Sequence, residues 1–320
     1  MERTRILVSQ FPGIPDPWPV AAACRAGATG VFDCRYLPEP ETISCLEQLL
    51  SHTDRPFGLV VPASRPTIIQ RLPEHHLPVP DPLVLSGPFP DTLQESIAAL
   101  RAQGARLFLE CLDLDHVRLA GQWAVDGIIA RGNEAAGPVA SESSFILLQR
   151  ILAATSLPVY VQGGIGPHTA AACMAAGAAG VVLDCQCALA RESSLPDQMR
   201  GMLASFDGTQ TRCLELPGGG GIRIASRINR SAAESLIREL ELLIADGADN
   251  ALLEENVMAR LAAAVSADRG DRVWLLGQDI GLAAGLAERF VSVGGIVAAI
   301  CDHVNRLPTL LSAGDILRGD

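Results

Sequence analysis

The stretch of this 320-residue chain best suited to chemistry is GGIGPHTA, Gly163–Ala170. Glycines let a backbone approach a ligand and aim successive amides at it, and a helix starting beside them adds the positive end of its dipole. The same residues also make an ordinary tight turn. His168 falls at that helix start, where an imidazolium would aid an anion. A second stretch, RGNEAAGPVASESS (Arg131–Ser144), is a long connection with one obvious acid/base residue, Glu134. Ser141 and Ser143 read there as a helix cap with Glu142. Polar residues also end several apolar runs: Gln10, Asp33, Cys34, Ser86, Glu110, Gln162, Asp184, Cys185 and Gln186. Asp33, Glu110, Glu134 and Asp184 have oxygen chemistry suited to a divalent cation, but no metal-binding spacing accompanies them and no metal site is expected.

Composition narrows the reactions. All 25 basic residues are arginine, and the chain has no lysine. That excludes Schiff-base aldolases, pyridoxal-phosphate enzymes and P-loop nucleotide hydrolases, each of which needs a lysine amine. Any phosphate must be held by arginine, backbone amides or helix ends. A net charge of -11 argues against nucleic-acid binding, which needs a cationic face. The nine cysteines form no Cys-x-x-Cys pair, and several sit in apolar runs, as expected of reduced, buried thiols. With no signal-peptide pattern and no apolar run of about 18 residues, a cytoplasmic protein without a membrane span is expected.

The elements that must position these residues alternate strictly. Strand patterns at Arg5–Gln10, Gly30–Cys34, Phe57–Pro62, Leu83–Ser86, Arg106–Cys111, Gly127–Arg131, Pro158–Gln162 and Gly180–Cys185 are separated by seven helical patterns. Nearly continuous apolar strands are expected of a parallel sheet buried on both faces. A doubly wound sheet and a closed barrel both satisfy the alternation; eight units favour the (β/α)8 TIM barrel, with chemistry at the C-terminal strand ends. An internal echo, AAACRAGATGVFDC (Ala21–Cys34) and AAACMAAGAAGVVLDC (Ala170–Cys185), reads as one packing solution used twice. The barrel should occupy residues 1–204. Residues 205–320 should form a smaller, mainly helical α+β subdomain. It comprises a hairpin in TRCLEL–PGGGG–IRIASRI, a helix at Ser231–Ala245 with a Ser cap and Glu234 in a capping box, a helix at Leu252–Val265, a strand in RVWLLG, and two apolar helices. The chain end, ILRGD, carries no polar tail and reads as one part of a longer polypeptide.

Three segments together carry a resemblance. GIIARGNEAAG, then LPVYVQGGIG, then AAGAAGVVLDCQCALARES, with the opening ILVSQFPGIPDPWPVAAACRAGATGV, resemble the flavin-dependent nitronate monooxygenase (2-nitropropane dioxygenase) family. The version most alike opens some large modular polyketide synthases. The likeness covers about residues 4–195, with a weaker echo in LLGQDIGLAAGLAERF.

The resemblance implies FMN at the barrel mouth. Its phosphate would rest on Gly163 and Gly164 and on Asp184, Cys185 and Gln186. The isoalloxazine would lie over Gln10, Phe11 and Gly13, beside Arg131 and Gly132, with Gln278 directed at it from the smaller domain. It further implies an oxidoreductase acting on a small-molecule or acyl-chain substrate beside other domains of an assembly line. Three positions depart from the pattern. Pro138 stands where the family has its catalytic histidine, LVVPAS lacks an expected asparagine, and Asp184-Cys185 replaces Gly-Thr. Glu134, Glu110, His168 or Cys34 would have to replace the histidine. A carboxylate about 4 Å from a phosphate is unfavourable by roughly 4 kcal/mol at intermediate dielectric, so either Asp184 points elsewhere, or FMN binds weakly or not at all. These departures leave an alternative, a catalytically degenerate barrel kept as a structural or docking module. Either way, the Gly163–Gly164 pair and the Arg131–Glu134 turn should share a rim and face a common cavity.

Overall fold

The computed structural model describes residues 1–90, 93–217, 219–246, 250–267 and 271–312. Gly218 of the expected hairpin turn and the ILRGD end lie outside the described residues. Eight parallel strands close on one another. In barrel order they are β1 (Ile6–Ser9), β2 (Thr29–Asp33), β3 (Gly58–Pro62), β4 (Leu83–Ser86), β5 (Leu107–Cys111), β6 (Gly127–Arg131), β8 (Val159–Gln162) and β9 (Gly180–Leu183), with β9 paired back to β1. The expected barrel is the fold.

The two-residue period of each strand sorts its side chains into two environments. One set faces outward and packs under the helices: Ile6, Val8, Phe32, Leu59, Val61, Leu83, Leu85, Leu107, Leu109 and their equivalents. The other faces the axis, one from each strand: Leu7, Val31, Val60, Val84, Phe108, Ile129, Tyr160 and Val182 form a closed apolar ring. Large rings fill it beside absent side chains; a Cβ on Gly180 would lie 2.4 Å from the Tyr160 ring and one on Gly127 2.9 Å from that of Phe108. Two residues further along each strand the period brings the next inward set, and there the sequence turns polar.

The outer layer contains α1 (Trp18–Arg25), α2 (Glu39–Leu50), α3 (Ile68–Arg71), α4 (Leu93–Ala102), α5 (Leu114–Gln122), α6 (Ser144–Ala154) and α7 (Pro167–Ala176). After β9 the chain leaves the barrel. It forms α8 (Asp197–Leu203), a hairpin of β10 (Thr211–Glu215) and β11 (Gly221–Ala225), then α9 (Arg230–Ala245), α10 (Asn250–Val265) and α11 (Ile280–Phe290). It then returns as α12 (Val293–Ser312), which packs on both α7 and α1. Val293, Ile296, Val297 and Ile300 of α12 are fully buried in the barrel's outer core, so this last helix takes the eighth place in the ring. The strands of the barrel therefore end before residue 204, and its helical layer is completed from beyond residue 292.

Several local expectations change. The Arg131–Ser144 connection contains a short strand, β7 (Gly137–Val139), which pairs antiparallel with β11 and makes the hairpin a three-stranded sheet. RVWLLG is not a strand; it runs as an extended segment that gives Ala225 a single backbone acceptor, the Trp274 carbonyl. Helix α9 starts one residue early with Asn229 at its cap, and Glu234 pairs with Arg230 at 2.7 Å rather than closing a capping box. Ser143 makes no side-chain cap for α6. All nine cysteines are free, eight of them buried, as the composition suggested.

If α12 belongs to the barrel, truncating a buried residue on it should weaken the whole domain. Ile300→Ala should cost about 2–5 kcal/mol, read as one shifted transition in chemical denaturation. An unchanged midpoint would mean that α12 is peripheral.

Candidate active site

The next inward set is Ser9, Asp33, Pro62, Ser86, Glu110, Arg131, Gln162 and Asp184, all but Pro62 polar and each two residues beyond the apolar ring. Glu110, Arg131, Gln162 and Asp184 bond to one another, and Arg35 joins Asp33 to them. Arg35, just past β2, reaches over the mouth and binds Glu110 through both terminal nitrogens, at 2.9 and 2.7 Å. The same guanidinium holds Asp33 at 2.9 Å. Arg131, 0% exposed, donates to Glu110 at 2.9 Å, to Gln162 at 3.0 Å, and to the carbonyls of Pro138 and Ala136. Gln162 donates in turn to Asp184 at 2.8 Å, whose other oxygen accepts from the Cys185 amide. Gln10 is fixed to the Asp33 backbone by two hydrogen bonds. The belt leaves a cavity of about 10 Å³.

The glycine loop stands on the rim as expected. Gly163 and Gly164 have φ of 109° and 66°, so a side chain at either would be strained. Across from them Glu134 bonds Ser144 through both its amide (2.9 Å) and hydroxyl (2.6 Å), and Gly163 gives its carbonyl to the same hydroxyl. Glu134 therefore caps α6, the role the serines were expected to fill. The Gly163–Gly164 pair and the Arg131–Glu134 turn share a rim, where Gly163 packs against Glu134, Ala135 and Ser144, while Gly164 also borders a groove of about 800 Å³ on its outer side. Gly132 is pressed against the Ser144 backbone, and Gly13 against Val265 of α10. Phe11 lies in an apolar cluster with Leu276, Ile280 and Phe206, its ring 6.1 Å from that of Trp274.

The residue that reaches the loop from the smaller domain is not Gln278, which is exposed, but its neighbour Asp279, 3% exposed. One Asp279 oxygen accepts from the Gly164 amide at 3.3 Å and from the Gln186 side chain at 2.9 Å. Its other oxygen is buried, accepts from no amide or hydroxyl, and lies against Asp184. Burial first, and then the adjacent Asp184 charge, push the Asp279 pKa well above its ordinary 3.8 and favour the protonated acid. Asp184, Cys185 and Asp279 present ligand atoms within 4.8 Å of one another. Cys185 nevertheless accepts from the Gly277 amide, and burial and Asp184 hold its thiol pKa well up, away from the thiolate a metal would need.

The other acid/base candidates lie apart. Burial alone would raise the pKa of Glu110, but Arg35 and Arg131 outweigh it and hold the carboxyl below 4.5; it stays an anion rather than a proton donor. Cys34 is buried, and desolvation pushes its pKa far up. His168 is exposed at the start of α7, edge-on to His303 at 4.4 Å, on a groove of about 800 Å³ between α7, α11 and α12. Asp33, Glu110, Arg131, Gln162, Asp184 and Gln186 are thus gathered at one mouth; His168 and Gln278 are not. Arg35 and Asp279 complete that mouth without having been singled out from sequence. A surplus of carboxylates at the strand ends was the available signal for Arg35.

The belt should dominate stability. Glu110→Gln leaves two buried guanidinium ions short of charge and should cost about 3–5 kcal/mol in denaturant unfolding; a loss below 1 kcal/mol would show that the belt is solvated. The two shifted acids act at opposite ends of the pH scale. Glu110 has its pKa depressed, so its contribution is present above its unfolded value and is lost as pH falls through the folded one. Asp279 has its pKa raised, so its contribution is full below about 3.8 and declines as pH rises through the folded value. Stability of Asp279→Asn measured against pH should lose the decline on the alkaline side, and an unaltered slope would contradict the assignment.

Comparison with known proteins fits this architecture. Residues 6–302 match the family model described as nitronate monooxygenase. A dehydrogenase of Rhodococcus jostii, named for (3aS,4S,5R,7aS)-5-hydroxy-7a-methyl-1-oxo-octahydro-1H-indene-4-carboxyl-CoA, is 27% identical over 188 residues, 58% of this chain and 52% of the relative. The chain spans about half the length of that relative. Among solved structures, FabK from Thermotoga maritima superposes with a TM-score of 0.74 at 18% identity, covering 98% of this chain and 96% of that one. The enoyl reductase domain of MlnA, from the macrolactin biosynthesis cluster of Bacillus amyloliquefaciens, gives 0.68 at 14% identity over 98% and 96%. These structures share the fold, and the match across nearly the whole sequence places the chain in the nitronate monooxygenase family.

Proposed function

We propose that this chain is an oxidoreductase-type domain, of nitronate monooxygenase or enoyl reductase character, that serves an acyl-chain assembly line in the cytoplasm. The observation that carries the reading is family membership across residues 6–302. Two similar proteins add support: one is a dehydrogenase named for a carboxyl-CoA compound, the other an enoyl reductase domain from a macrolactin cluster. Among the described residues no single helix is long and apolar enough to cross a membrane. The proposed partners are an acyl-chain or other small-molecule substrate and neighbouring domains of a polyketide synthase.

FMN is the coenzyme this reading calls for, and several groups that would meet it are engaged within the protein. The space enclosed between the apolar ring and the belt is about 10 Å³, and a recess beside Arg35, Glu110 and Pro138 is about 100 Å³, whereas ligand pockets measure roughly 300–1,000 Å³. Gly164 and Gln186, which would meet the phosphate, already donate to Asp279. The place over Gly13 is taken by Val265, and at the histidine position Pro138 offers only a carbonyl, held by Arg131. No catalytic step is therefore assigned to Glu134, His168 or Glu110. The alternative, a barrel kept as a structural or docking module after losing its chemistry, is what the test of this reading has to exclude.

Absorbance of the purified full-length chain separates the two. The oxidoreductase reading expects a flavin band, with FMN released on denaturation or taken up when added. Colourless protein that neither binds added FMN nor gains thermal stability from it would end that reading, while a stoichiometric flavin complex would end the second.

A further inference from the structure

The Gly164 amide of the glycine loop, the donor best placed for an anion, is already engaged. We propose that Asp279 is the resident occupant of this cradle: its side chain takes the Gly164 amide and the Gln186 amide, so a phosphate-bearing ligand and Asp279 exclude each other there. Asp279 follows Gly277, which has no room for a side chain: a Cβ would meet the Asp279 carboxyl at 2.2 Å and the Glu134 carbonyl at 2.4 Å. That tight passage brings residue 279 down onto the loop, and the Asp279 amide points back toward the Glu134 carbonyl at 3.4 Å. The carboxyl then accepts from two donors contributed by two different strand ends.

The remaining Asp279 oxygen is buried and accepts from no amide or hydroxyl; it lies against Asp184, and a proton on the Asp279 carboxyl bridges the two acids. The Asp279 carboxyl is thereby held in the seat through both of its oxygens. Holding it there closes α11 onto the barrel, since Ile280 and Ala283 of that helix are fully buried in the same cluster as Phe11 and Cys185. Opening the cradle therefore requires residues 277–280 to withdraw.

The inference borrows from the proposed function only the identity of the coenzyme. It is tested on the full chain by measuring FMN and riboflavin binding through flavin fluorescence, with thermal shift in inorganic phosphate as a flavin-free readout. Riboflavin lacks the phosphate, so the ratio of the two affinities isolates the cradle. In the wild type and in Asp279→Asn, which keeps shape and acceptor, the two flavins should bind within threefold of one another. In Asp279→Ala, FMN should exceed riboflavin at least tenfold, and phosphate should raise the melting temperature of this variant alone. A wild type that already prefers FMN tenfold, with phosphate competing, would overturn the inference and leave the flavin reading intact. If no form binds flavin, that reading fails, and the cradle is judged by phosphate: a shift confined to Asp279→Ala upholds it, and no shift overturns it. Circular dichroism of Asp279→Asn and Asp279→Ala confirms that both fold.

Discussion

The guanidinium of Arg131 ties the barrel mouth together. It is fully buried, and it joins Glu110 of one neighbouring strand to Gln162 of the other while gripping two carbonyls of the connection that follows β6. A cation in such a place is tolerable only when every donor is met and a carboxylate lies close. Once those conditions are satisfied, the neighbours are fixed as well. Glu110 must stay charged, Arg35 completes its coordination, and Asp33 completes that of Arg35. Much of the barrel mouth is thus spanned by a chain of ions and amides running from Asp33 to Asp184.

The same constraint orders the smaller domain. Because Arg131 holds the Ala136 and Pro138 carbonyls, the connection is pinned where β7 can meet β11, and the three-stranded sheet forms directly over the belt. Arg223 of β11 donates to the Asn133 carbonyl at 2.6 Å and secures the same connection from above. The cap and the barrel thus share one polar seam, flanked by the apolar clusters around Phe11 and Tyr36.

Much of this was readable from the residues. Eight buried parallel strands announce themselves as continuous apolar runs, and polar residues at their ends could be assigned to the mouth from the two-residue period alone. Family likeness followed from short motifs along the chain. What could not be read was which polar groups find one another. Arg35 and Glu110 are 75 positions apart, and Gln186 and Asp279 are 93 apart; contacts at such separation depend on barrel closure, not on local pattern. The belt escaped sequence reasoning for this reason: each polar residue could be placed at the mouth, but not the ion pairs that join them. Seven helical patterns for eight strands was the one visible sign that a helix must arrive from elsewhere.

That late arrival makes the smaller domain an insertion, tethered at both ends between β9 and α12. Cutting the chain short after the last strand would strip the apolar flank of α1 and α7 bare, leaving a sticky stripe rather than a minimal barrel. An independent core module would have to be made by internal excision, with a short splice carrying the chain from β9 directly into its closing helix.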